Sequence, residues 1–323
     1  MALRTRLTEL LDIEHPVMLA GMGGVSYHAL VAAVSDAGGI GTFGASTMSA
    51  DELPVEIAEL KKLTSKPFGV DLLTAVPGQL ERSVGDVIKG GARIFVAGLG
   101  VPREIIDELH ANNILVGSMC GKVRHAVAAV ASGVDFVVAQ GTEGGGHTGF
   151  VATMALVPQV VDAVGHSVPV VAAGGLFDGR GLAASLALGA DGVWIGTRFI
   201  ATPEARAVNG YKETLLAIRE DDTVISKAFT GKTCRVVRNE WTNQFEQNPG
   251  TVKPFPEQAV VSMKAGVNHL GYPSGTEVDV QREFMPCGQG VGAIHELTPA
   301  REIVHAMVAE AERAIERIAA VRR

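Results

Sequence analysis

Eight short apolar runs, separated by helical segments over the first 200 residues, constrain this chain more than any other feature. They span Pro16 to Leu19, Gly39 to Phe43, Pro67 to Leu72, Ile94 to Ala97, Ile114 to Ser118, Phe136 to Ala139, Val170 to Ala173 and Gly192 to Ile195. Between them lie amphipathic stretches. One runs from about Tyr27 to Ala37, with Leu30, Val31 and Val34 on one face, and another from Ala50 to Leu63. Strands that alternate with helices call for a parallel sheet with crossover connections. Eight such units suggest closure into a (β/α)₈ TIM barrel. A doubly wound open sheet is the alternative, and it carries its phosphate loop after the first strand. Here the first glycine loop reads AGMGG, which does not match G-x-G-x-x-G and lacks the acidic ribose partner.

Composition narrows the function classes. Nearly half the residues are hydrophobic but only 5% are aromatic, so the core must be Val, Ile, Leu and Ala, which suits buried parallel strands. The net charge of −7 and the absence of a lysine stripe argue against a nucleic-acid partner. No apolar run approaches ~18 residues, so a membrane span is not expected. The start, MALRTRLTELL, has no signal-peptide core. Cys120, Cys234 and Cys287 form neither a CxxC site nor a disulfide framework. The expectation is a cytoplasmic enzyme of a small-molecule substrate.

The pattern changes after Phe199. Residues 201–285 contain helical stretches such as Tyr211 to Arg219 and a polar, proline-bearing segment from Asn239 to Pro256. They read as a smaller, mostly helical cap inserted after the eighth strand. The expected division is 1–200 for the barrel, 201–285 for the cap, and 286–323 for a late glycine loop and a helix returning to the barrel. Thr298 and Pro299 fit the N-cap and N1 positions of that helix. Ile303, Met307, Ala311, Ile315 and Ile318 form its apolar stripe. The cap and this helix are the surfaces on which a homodimer could form.

Two consecutive units carry a phosphate-site signal. VVAAGG, Val170 to Gly175, leads through Phe177-Asp178-Gly179-Arg180-Gly181 into a helix from Leu182 to Leu188, and GVWIGTRF follows from Gly192. Glycine lets backbone N–H groups approach a phosphate closely, a helix N-terminus adds a favourable dipole, and barrels often hold phosphates after strands seven and eight. Gly174, Gly175, Gly196 and Thr197 are the predicted ligands. The other signal is AQGTEGGGHTGF, Ala139 to Phe150, at the end of the sixth strand. Its glycines let the backbone lie against a planar ligand, with His147 projecting to donate a hydrogen bond or move a proton. Gln140 offers an amide for the edge of a flavin ring. Glu143 either orients His147 or caps a turn. No metal site is expected, because no second ligand lies at suitable spacing.

The motifs HPVMLAGMGG, KPFGVDL, AQGTEGGGHTG, PVVAAGGLFDGRG, GADGVWIGTRF and GQGVG occur in order over nearly the whole chain. Together they resemble the nitronate monooxygenase family and the related FMN-dependent enoyl-acyl-carrier-protein reductases. The resemblance implies non-covalent FMN, with Ala20, Gly21 and Met22 beneath the flavin. It also implies cofactor contacts from Gln140, Gly145, Gly174 and Gly175. Trp194, Ile195, Gly196 and Thr197 would close the phosphate site, His147 would be the catalytic histidine, and Gln289 would approach from the cap side. Asp71 stands at a cofactor position where the family usually has Asn, and Gly144 stands where many members have Ala.

Two chemistries follow from the resemblance. One is oxidation of alkyl nitronates with O₂ to carbonyl compounds and nitrite. The alternative is an oxidoreductase using NADH or NADPH as co-substrate on an enoyl thioester or quinone; members with the EGGGHTG form include relatives of enzymes acting on coenzyme A thioesters. A thioester enzyme needs a basic surface, which Arg206, Lys212, Lys227, Lys232, Arg235, Arg238 and Lys253 could supply unless they are ordinary solvated charges.

Overall fold

The computed structural model describes residues 3–49, 51–73, 79–98 and 102–321; Ala50, the expected start of the second helix, lies outside them. Eight parallel strands form one sheet: β1 (Val17–Leu19), β2 (Gly41–Gly44), β3 (Phe68–Leu73), β4 (Ile94–Gly98), β5 (Leu115–Cys120), β6 (Phe136–Gln140), β8 (Val170–Ala173) and β9 (Gly192–Ile195). Each apolar run became one of them. A two-residue strand, β7 (Gly146–His147), lies outside this sheet. From β2 onward each barrel strand pairs with the next in chain order, and β9 returns to β1. The remaining gap is bridged by Met18 and Ile40, with Leu19 N donating to Ile40 O at 2.9 Å and Ile40 N to Val17 O at 3.1 Å. Sequential pairing and this bridge make a barrel and exclude the open doubly wound sheet.

Side-chain alternation along each strand explains how the barrel fills. Met18, Ile40, Ile94, Val96, Phe136, Val138, Val171, Ala173 and Trp194 form one buried cluster inside it. Their neighbours in sequence, such as Val17, Leu19, Phe95, Val137, Val170 and Ile195, pack outward in the cluster that includes the helices. This two-sided burial is why the strands read as continuous apolar runs. Helix Arg6–Leu11 adds Leu7 and Leu11 to the interior cluster. Thr5 closes a capping box at its start, and Arg6 pairs with Asp191 just before β9 at 2.8 Å.

The predicted outer helices are present at His28–Asp36 and Glu52–Leu63. Helix Gly179–Ala187 starts three residues earlier than expected. The terminal helix, Ala300–Ala320, packs against it so closely that a Cβ on Gly179 would stand 2.2 Å from Met307 O. Two expectations for the terminal helix are corrected. Thr298 is not its cap; the helix begins at Ala300, whose N–H donates 3.2 Å to the carboxylate of distant Glu204. The apolar stripe holds for Ile303, Met307 and Ala311, but Ile315 and Ile318 are exposed.

Residues 201–285 contain helices Asn209–Ala217, Glu240–Gln247 and Glu257–Lys264. Sequence patterning did not foresee the hairpin beside them, β10 (Thr223–Ser226) and β11 (Cys234–Val237). β11 also pairs with β7, so the histidine loop and this later segment share one small sheet.

Candidate active site

Because the barrel strands are parallel, their C-terminal ends share one face. Leu19 pairs with Ile195, Gly44 with Asp71, Gln140 with Ala173, and Ala173 with Trp194. This register brings Ala20, Asp71, Gln140, Gly174 and Gly196 to one rim. Gly21 is needed there: a Cβ would fall 2.2 Å from Asp71 Cβ and 2.8 Å from Phe43 O. Ser26 ties the first loop down, accepting from Met22 N at 3.1 Å and donating to Ala20 O at 2.9 Å.

Asp71 is half-buried on this rim, with no hydrogen bond or ion pair to any described residue. Burial alone pushes its carboxyl up to about 8. A carboxyl in that state is protonated at neutral pH and donates, as the amide of Asn would.

The loops after β8 and β9 carry the predicted phosphate ligands. Gly174 and Gly175 adopt φ of +100° and +71°, which disfavours side chains. The N–H groups of Gly174, Gly175, Leu176, Gly196 and Thr197 donate to no described residue. A cluster of uncommitted donors on two adjacent loops is the cradle an anion requires. The dipole end of helix Gly179–Ala187 is not part of it. Asp178 accepts from Gly181 N at 3.1 Å, and Glu310 accepts from Gly179 N at 2.8 Å. Two carboxylates fill the place where a helix-bound phosphate would sit. The Thr197 hydroxyl accepts from Gly288 N at 2.9 Å and keeps its own proton to donate. Trp194 and Ile195 contribute strand backbone, while their side chains fill the barrel and the helix layer.

The histidine loop is fixed on three sides. From the barrel, Gln140 Nε2 donates to His147 O at 2.9 Å, so the amide predicted for the flavin edge also holds the loop. From the hairpin, Thr148 N donates to Thr233 O at 3.3 Å and Thr233 Oγ1 to Thr148 O at 3.0 Å. From the late glycine motif, exposed Gln289 donates its N–H to Glu143 O at 2.9 Å. Gly145 is held against this motif: a Cβ would fall 2.6 Å from the Cys287 carbonyl carbon. Glu143 does not orient His147. Its carboxylate accepts from Thr153 N at 2.9 Å and from the Thr153 hydroxyl at 2.9 Å, capping helix Thr153–Val164.

His147 meets partners that sequence reasoning missed. Its Nε2 lies 3.1 Å from Thr230 Oγ1, and its ring stands edge-on to Phe255 at 6.1 Å. Thr230 donates to Lys232 O at 3.2 Å and accepts from Lys232 N at 3.3 Å. Thr230 therefore holds the ring at Nε2, and the tautomer decides which nitrogen of the ring is basic. Burial, then the charge of Lys232, lowers the His147 pKa to about 4. The imidazole is therefore neutral at physiological pH. The only hint of these partners in the sequence was a Thr-Gly-Lys-Thr turn between two β-branched runs.

Among the described residues no group of three or more His, Cys, Asp or Glu could hold a metal, and no helix is long and apolar enough to cross a membrane. Cys120 and Cys287 are buried, and burial pushes both thiols up to about 12, so neither is an activated nucleophile.

The model of the nitronate monooxygenase family matches residues 4–85 and 76–310. A Mycobacterium tuberculosis protein named (3aS,4S,5R,7aS)-5-hydroxy-7a-methyl-1-oxo-octahydro-1H-indene-4-carboxyl-CoA dehydrogenase is 43% identical over 76% of this chain and 69% of its own. A probable nitronate monooxygenase of Staphylococcus saprophyticus is 34% identical over 80% of this chain and 85% of its own. Among solved structures, FabK from Thermotoga maritima superposes with a TM-score of 0.89 at 35% identity, covering 98% of this chain and 99% of that one. Nitroalkane oxidase from Streptomyces ansochromogenes does so with a TM-score of 0.83 at 29% identity, covering 97% and 99%.

Proposed function

The chain belongs to the nitronate monooxygenase family, and we propose that within it this oxidoreductase binds FMN and dehydrogenates an acyl thioester of coenzyme A. The observation that carries the reading is His147: a neutral imidazole on the rim, held at Nε2 by Thr230, with one basic ring nitrogen able to take a proton.

The rim fits FMN. The uncommitted N–H groups of Gly174, Gly175, Gly196 and Thr197 would hold the phosphate, with the Thr197 hydroxyl. Ala20, Gly21 and Met22 would line the floor, and Asp71, Gln140, Gly145 and Gln289 would complete the surround. Ile195 O accepts from Ala20 N at 2.8 Å and so ties the floor to the phosphate loops. FMN, when bound, accepts or returns a hydride. The protein does the rest. Hydrogens on the carbon next to a thioester carbonyl are acidic. The lone pair of His147 would take one of them as a proton; the C–H electron pair left behind becomes the second bond of a C=C, while the hydride leaves the adjacent carbon with its own pair. The name of the 43% identical relative supports a coenzyme A thioester as substrate. In the opposite direction, NADH or NADPH would supply the hydride.

A second reading is oxidation of alkyl nitronates with O₂ to carbonyl compounds and nitrite. Lys232 favours it, since its charge reaches His147 and suits a small anion; the staphylococcal relative's name supports it too. One anaerobic experiment separates the two. Bleaching of the FMN-loaded protein by a saturated acyl-CoA but not by a nitronate supports the thioester. Bleaching by a nitronate alone, with nitrite released on admitting air, supports the second. A protein that takes up no FMN sinks both.

A further inference from the structure

Most of the basic residues named from residues 201–285 are committed. Arg206 pairs with Glu52 at 3.4 Å and lies over the Tyr27 ring. Lys212 donates to Thr202 O at 2.7 Å, Arg235 to Thr142 O and Thr223 Oγ1 at 2.9 Å each, and Arg238 pairs with Glu246 at 2.9 Å. Lys227, Lys232 and Lys253 are different. None of the three pairs with a carboxylate of any described residue.

The fold gathers these three beside the active site. Lys227 O accepts from Gly231 N at 2.8 Å. Gly231, at φ +82°, lets the 253–255 segment lie flat on the turn, since a Cβ there would fall 2.5 Å from Lys253 O. Lys232 Nζ stands 5.7 Å from the Phe255 ring, whose other neighbour is His147. Beyond Lys253 opens a recess of about 270 Å³, lined by Phe245, Val261, Asn248, Gln244 and Lys253 itself. It is smaller than the ~300–1,000 Å³ of a whole ligand site. Its make-up, one aromatic and one aliphatic wall with side-chain amides, suits a single heteroaromatic base.

Resting on the thioester reading above, we propose that Lys227, Lys232 and Lys253 bind the phosphates of coenzyme A, with its adenine in the recess beside Phe245. The thioester end then reaches His147 along the Phe255 side. The recess favours a free coenzyme A thioester over a carrier-protein thioester, which has phosphopantetheine but no adenine.

The test is calorimetric titration of the FMN-loaded, full-length protein with coenzyme A, pantetheine and NADPH. Coenzyme A should bind at least tenfold more tightly than pantetheine, and the gap should shrink as salt is raised. In the double variant Lys227→Glu, Lys253→Glu the gap should close, with FMN content and pantetheine affinity unchanged. Equal affinities in the natural protein overturn the proposal, as does a gap that survives the double variant. A variant that loses NADPH but not coenzyme A assigns the lysines to the nicotinamide coenzyme and also overturns it. The underlying reading fails separately: it is lost if neither acyl-CoA nor acyl-pantetheine bleaches the flavin. If both bleach it with equal KM, only the lysine site is lost.

Discussion

Asp71→Asn should make the FMN-free protein more stable, by an amount that depends on pH. A carboxyl that ionises near 8 in the fold but at 3.8 in solution keeps a proton that the unfolded chain releases. Stability is therefore undiminished below about pH 3.8, falls as pH rises toward 8, and levels off above it. At pH 7 the deficit is about 3 pH units at ~1.36 kcal/mol each, on the order of 4 kcal/mol. Asn has the same shape and no titration. In urea melts the variant should exceed the natural protein by about 4 kcal/mol near neutrality, narrowing to under about 2 kcal/mol at pH 5. A gap independent of pH, or a variant less stable at pH 8, would refute an acid held neutral by burial.

The acid limb of kcat/KM should fall near pH 4, because His147 must be neutral. Lys232→Met should move that limb upward by removing a like charge, and an unmoved limb would show that Lys232 does not act on His147. Glu143→Ala should cost about 1 kcal/mol as a lost helix cap while leaving the limb in place; a shifted limb would restore Glu143 to an orienting role. Gly179→Ala places a Cβ 2.2 Å from a backbone carbonyl and should cost about 3 kcal/mol or more, seen as a lowered Tm; an unchanged Tm would mean the two helices separate freely.

The barrel was legible because each strand is buried on both faces, so runs such as Val170 to Ala173 are apolar throughout and end in a glycine that the following turn requires. The rim was legible for the same reason: strand ends of parallel strands share a face. What escaped is contact between residues far apart in sequence. The terminal helix is capped by Glu204, 96 residues upstream, and no local pattern announces that. Its stripe ends after Ala314 because burial there depends on where its partner helix stops, which periodicity cannot register. The partners of His147 come from residues 230–255, about 83 to 108 positions later. For Glu143 the sequence left open an orienting role toward His147 or a cap, and the N–H of Thr153 within its reach decides for the cap.

The pairing of β7 with β11 also governs when the site comes into being during synthesis. All eight barrel strands have been made by Ile195, but the strand that straightens His147 is completed only at Val237. A nascent chain ending between those points would carry the glycine loops after β1, β8 and β9, with its histidine not yet paired. In this protein every barrel strand is made about forty residues of synthesis before the strand that anchors His147.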